Sequence, residues 1–146
     1  MNLLFVHQNF PGQYKHLAPA LAARPGHSVV ALGLQPPPVI PGIQTLRYAV
    51  ARGNTPGIHP WLLDAETKVI RGEAAAIAAD QLRVQGFRPD LICVHPGWGE
   101  ALFLHEVLFP QEKQYDILTA VFLQCLNQKT LLLDQKKNSR VSWLPH

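Results

Sequence analysis

The chain has 146 residues, 47% of them hydrophobic and only 16% charged, which suffices for one buried core and falls short of two full domains. A net charge of +3 rests on scattered lysines and arginines whose one dense run is Lys136, Lys137 and Arg140, so there is no nucleic-acid footprint. Cys93 and Cys125 have no CxxC or framework spacing, and the apolar start ends at His7 without a basic flank. This argues against a disulfide-stapled secreted scaffold, a signal peptide and a transmembrane segment, and the expected location is cytoplasmic, with any membrane contact peripheral.

Leu3 to His7 is a short apolar run ending in polar Gln8 and Asn9, the pattern of a buried parallel strand. Pro11 and Gly12 then turn the chain into a helix predicted over Gln13 to Ala23, where Tyr14, Leu17, Ala18 and Leu21 recur at helical spacing. Pro25 and Gly26 end it, and Ser28 to Leu34 reads as a second strand. Gln35 to Gly42 holds four prolines and reads as loop, Gln44 to Ala49 as a third strand, and Val50 to Pro60 as irregular. The longest helical pattern runs from Trp61 to Gln85, with Gly72 as either a simple cost or a kink and Gly86 as the cap.

Arg88-Pro89-Asp90 turns into a fourth strand, Leu91 to Val94, and a helix is expected from about Glu100 to Val107. Strands alternating with helices predict an α/β fold, a Rossmann-like parallel sheet with helices on both faces. After Pro110 the texture changes: Asp116 to Leu123 suits a fifth strand and Leu126 to Lys137 a polar helix. The expected organisation is a domain over 1–110 and a divergent segment over 111–146.

Ligands of open parallel sheets bind beyond the carboxyl ends of the strands, which singles out two loops. In His7 to Gln13, Gly12 permits close backbone approach, and the amides of the following helix could face a phosphate or a sugar hydroxyl; Gln8, Asn9 and Gln13 are the polar candidates there. A turn glycine with polar caps would look the same. The loop from His95 to Glu100 is denser in chemistry. Gly97 and Gly99 free the backbone, Trp98 offers a flat apolar face, and His95 and Glu100 can bind hydroxyls or move a proton, which makes them the catalytic candidates. Trp98 could instead pack on the domain and Glu100 cap the next helix.

Gly97 and Gly99 do not complete GxGxxG, the histidines form no metal-ligand pair, and neither GxSxG nor a Walker loop occurs, so no cofactor and no metal are expected. Cys93 reads as a small core residue; the turn Gly57-Ile58-His59-Pro60-Trp61 could reach the same cleft, but reads first as a loop anchored by a buried tryptophan.

Three segments together, Leu3 to Ala22, Pro56 to Leu62 and Pro89 to Leu104, resemble the N-terminal region of bacterial family-four glycosyltransferases, in the family's order and approximate spacing from Met1 to about Pro110. The resemblance implies the N-terminal half of a GT-B fold, in which two Rossmann-like domains face each other across a cleft. The N-terminal domain mostly holds the hydroxyl acceptor and the C-terminal one the nucleotide-sugar donor, with retention of configuration and no metal. It would set the loop around Gly12 against donor phosphates and acceptor, and the His95 to Glu100 loop along the cleft.

Pro25, between Arg24 and Gly26 where relatives run Arg-Gly-His, is a small departure. The stretch from Val121 to Leu126 and the polar tail beyond it do not follow the family, and the donor-binding domain is missing from the sequence. A truncated acceptor-side domain without turnover of its own is therefore expected. The alternative is a non-catalytic binding module acting through a partner chain.

Overall fold

Leu3, Leu4, Phe5 and Val6 are all buried, so the strand that carries them must be covered on both faces and flanked on both edges. The computed structural model describes residues 1–110 and shows that arrangement. The elements are β1 (Asn2–Val6), α1 (Leu17–Ala22), β2 (Ser28–Gly33), β3 (Ile43–Arg47), α2 (Leu63–Val84), β4 (Leu91–Val94) and α3 (Leu104–Leu108). The strands form one sheet in the order β3-β2-β1-β4. Every pairing is parallel, with Leu4 opposite Val30 and Ile92.

Successive side chains of a strand point to opposite faces, and the two cores follow that rule. Leu4, Val6, Val30, Leu32, Ile92 and Val94 face α2 and α3, where Ala74, Ala75 and Ala79 let the long helix lie close to the sheet. Leu3, Phe5, Val29, Ala31 and Ile43 face the other way, onto Phe10, Tyr14 and Ala18. Phe5 and Tyr14 meet edge to face with ring centroids 5.1 Å apart. The fold is α/β and Rossmann-like, with helices on both faces of a parallel sheet.

Two predicted helices are shorter than their periodicity suggests. After Gly12 the chain makes a single 3₁₀ turn (Gly12–Tyr14), and α1 starts only at Leu17. The reason is packing: Phe10 and Tyr14 are both drawn into the core under β1, which a continuous helix from Gln13 would not permit. The helix expected directly after Gly12 therefore begins at Leu17, beyond a 3₁₀ turn. Likewise α3 starts at Leu104, because Gly99 at φ 101° and the buried Glu100 hold the preceding residues in a turn closed by the Leu102 amide on the Gly99 carbonyl at 3.0 Å.

Gly72 does not kink α2, which runs unbroken from Leu63 to Val84. It is where the loop after β4 touches the helix: a Cβ there would lie 2.6 Å from the Gly99 carbonyl oxygen. Gly86, at φ 92°, ends α2 with its amide on the Arg83 carbonyl at 3.0 Å. The strand expected at 116–123 and the helix-like stretch at 126–137 lie outside the described residues.

A Cβ on Gly99 would collide with the Lys68 backbone as well as strain a left-handed φ. Gly99→Ala is expected to lower unfolding free energy by at least about 2 kcal/mol. Gly86→Ala, whose Cβ would meet nothing within 4 Å, should cost only about 1 kcal/mol in the same urea titration.

Candidate functional site

β1 and β4 are neighbours in parallel register, so the residues that follow them leave the sheet side by side. His7 follows β1 and His95 follows β4, and both imidazoles are only partly buried. Each ring is fixed in the same way. The Asn9 amide donates to His7 Nδ1 at 3.1 Å, and the Gly97 amide donates to His95 Nδ1 at 3.1 Å. With Nδ1 accepting, the neutral ring carries its proton on Nε2, so both histidines present an N–H donor outward.

Burial pushes both imidazole pKa values below 6.5. The Glu100 carboxylate opposes this at both rings, and His7 adds to the lowering at His95. Two uncharged imidazole donors beside one carboxylate suit hydroxyl or phosphoryl oxygens as acceptors.

Glu100 itself is 1% exposed, and its Oε1 accepts from the Tyr48 hydroxyl at 2.7 Å. Tyr48 follows β3, and burial together with the carboxylate pushes its phenol well above the usual range. The carboxylate is thus buried and acts on the imidazoles through its charge, where the sequence offers it as a hydroxyl-binding or proton-moving group or as a cap on the next helix. Gly99 is buried against α2, so its freedom serves packing rather than ligand approach.

Trp98 is 41% exposed, with its ring 5.4 Å from that of His95 at an angle of 53°. Its carbonyl accepts from Arg71 Nη1 at 3.0 Å, which fastens the loop to α2. Gly97 is exposed beside it. In the other loop Asn9, Gly12 and Gln13 are exposed and Gln8 is half-buried. The Gln8 carbonyl accepts from Leu34 and Gln35 at 3.0 and 2.9 Å. A Cβ on Gly12 would sit 2.5 Å from His7 Cε1, so the glycine is what lets the imidazole lie flat on the turn.

The structure therefore gathers His95, Gly97 and Trp98 at one place, with Gln8, Asn9, Gly12 and Gln13 on the adjoining strand end. Sequence reasoning leaves His7, Tyr48 and Arg71 out of this group. His7 carries the same signal as His95, an imidazole directly after a buried strand. Tyr48 and Arg71 carry none, since their partners lie 52 and 27 residues away in the chain. Among the described residues no three His, Cys, Asp or Glu side chains converge as metal ligands, and no helix is long and apolar enough to cross a membrane.

Tyr48→Phe removes the donor from a buried carboxylate and is expected to cost about 1–3 kcal/mol of stability, read as a lower Tm. His7 and His95 make stability depend on pH. The unfolded chain takes up these protons at higher pH than the folded one, so stability is held above 6.5 and falls as the pH drops below it. In urea titrations from about pH 7 to about pH 5, His7→Gln/His95→Gln should lose less stability than the parent.

Comparison with family models gives a match over residues 25–116 to the glycosyl transferase family 4 group. Neither the curated proteins nor the solved structures give a match. The matched stretch carries β2, β3, α2, β4 and α3, and with them Tyr48, Arg71 and the whole His95–Glu100 loop. With its parallel α/β sheet and most of its described residues inside that match, the chain belongs to the glycosyl transferase family 4 group.

Proposed function

We propose that this chain forms the acceptor-side wall of an enzyme that transfers a sugar from a nucleotide-sugar to a hydroxyl. The observation that carries the reading is the pairing of the His95 N–H donor with the half-open Trp98 indole at the carboxyl end of β4. An indole offers the apolar face on which a sugar ring rests, and a neutral imidazole N–H binds a hydroxyl or phosphoryl oxygen without bringing a charge that water would have to screen.

His95 is the residue in contact with substrate, with His7 beside it. Glu100 is a positioning residue that acts through the imidazoles and Tyr48. The backbone at Gly12 and Gly97 admits the ligand closely, and Gln8, Asn9 and Gln13 supply polar contacts at the rim. Gly99 supports the loop from behind.

The sugar leaves its nucleotide as the acceptor oxygen forms the new bond, and the acceptor proton departs with the nucleotide phosphate. Family resemblance supports retention of configuration and independence of metal. One sheet supplies one wall of such a cleft, and much of the rate in a two-walled site comes from positioning across it. Transfer is therefore proposed to require a nucleotide-sugar-binding wall facing this one. Two cysteines without framework spacing support a cytoplasmic setting.

A second reading, a non-catalytic module working through a partner chain, draws on a groove of 690 Å³ between α2 and α3, whose apolar residues Val69, Ala76, Ile77, Phe103 and Val107 are joined by Glu73, Asp80 and Gln81.

The test supplies a separately expressed family-four donor domain in trans and follows transfer from a panel of nucleotide-sugars. Transfer should appear on mixing, and His95→Ala and Trp98→Ala should each lower it about tenfold or more with Tm unchanged. Transfer indifferent to both substitutions would sink the site assignment, and binding of a partner chain with no transfer under any pairing would favour the second reading.

A further inference from the structure

Trp61 is not the buried anchor that its sequence context suggests: it is 89% exposed. Its surroundings reproduce those of Trp98. In His59-Pro60-Trp61 and in His95-Pro96-Gly97-Trp98 a proline opens a 3₁₀ turn, and the histidine before it accepts on Nδ1 from the amide two residues ahead, at 3.3 Å from Trp61 and 3.1 Å from Gly97. In both the imidazole then packs on the indole, with centroids 5.7 and 5.4 Å apart. His59, like His95, thereby turns an Nε2–H donor outward beside an apolar ring face.

Both turns lie at the same end of the sheet. One follows β3 and the other β4, two parallel strands, and α2 joins them. The Trp61 turn runs directly into the first residue of α2, and Gly99 meets the helix at Lys68, so the two platforms stand roughly 10 Å apart along the helix axis.

The loop that leads into the outer turn is tied to the start of α2. Glu66 accepts from the Thr55 amide at 2.9 Å, the Thr55 hydroxyl at 2.6 Å and Arg52 Nη1 at 3.0 Å. Asn54 Nδ2 donates to the Leu63 carbonyl at 3.0 Å, and its Oδ1 accepts from the Thr67 hydroxyl at 3.0 Å. The turn itself is closed by the Leu62 amide on the His59 carbonyl at 2.8 Å and the Trp61 amide on His59 Nδ1 at 3.3 Å, so its backbone loses little freedom on binding.

We propose that His59 and Trp61 form a second sugar-binding platform, so that the acceptor is an oligosaccharide or glycan whose reacting unit lies at His95 and Trp98 and whose distal sugar stacks on Trp61. The proposal rests on the acceptor-side reading above. The local charge favours a carbohydrate over an anionic lipid surface. Arg52 is paired with Glu66 and Lys68 with Asp64, so the turn presents no surplus of cations to lipid headgroups.

The test is NMR of the indole N–H groups in the full chain, assigned with Trp61→Phe and Trp98→Phe. It is titrated with glucose, maltose and maltotriose, with N-acetylglucosamine and its β-1,4 dimer and trimer, and with mannose and its α-linked dimer and trimer. The expected result is that both indoles shift with the dimer or trimer of one series, bound about tenfold tighter than its monosaccharide, and that Trp61→Ala abolishes this length preference while the Trp98 shift persists. Because Trp61 is exposed, an unchanged Tm should confirm that the variant is folded.

A Trp98 response with no length preference and a silent Trp61 overturns the second platform and leaves the acceptor reading standing. Silence of both indoles towards every sugar overturns both. A Trp61 shift produced by vesicles of phosphatidylcholine and phosphatidylglycerol, and by no sugar, overturns the platform in favour of a membrane contact.

Discussion

The buried hydrogen bond between Tyr48 and Glu100 ties together two distant parts of the chain at the strand ends. It connects the residue after β3 to the loop after β4, across the two strands that lie between them. A carboxylate at 1% exposure is costly unless a donor meets it, so the pair holds only when the phenol is in place. Once held, the same charge acts on the imidazoles of His7 and His95, opposing the effect of their burial. One interaction therefore sets the electrostatics of the site and the path of the loop that carries His95 and Trp98.

The second support of that loop is steric. Gly72 and Gly99 let the loop backbone lie directly on α2, and Arg71 fastens the Trp98 carbonyl from the neighbouring position on the helix. The catalytic face of a parallel sheet is built from loops, and loops keep a geometry only when something rigid stands behind them. Here the rigid body is the 22-residue helix α2, itself seated on the sheet through a face of small alanines. The Trp61 turn runs into its start and the Trp98 loop rests on its middle, so any movement of α2 would carry both together.

The repeated use of histidine has a shared physical basis. His7, His59 and His95 each accept a backbone amide on Nδ1 two residues ahead, which settles the tautomer and turns Nε2–H outward. A tight turn stabilised this way leaves a donor at the surface beside an aromatic ring, Tyr14 for His7 and a tryptophan for the other two. That combination of a fixed donor and a flat apolar face is suited to sugar rings, which show hydroxyls at their edges and C–H groups on their faces.

The order of strands and helices up to Pro110 and the parallel sheet are determined by the sequence alone. Each is a local property: apolar runs of strand length, helical periodicity, and Gly and Pro as punctuation. The same local signals mark Gly86 as the end of α2. Only the tertiary structure decided that Glu100 is buried, that Gly99 serves packing, that the helix after Gly12 is cut short by Phe10 and Tyr14, and that Trp61 stands in the open. Those outcomes depend on partners dozens of residues away, as Tyr48 is from Glu100, and on the space left between packed elements. No window of neighbouring residues contains either.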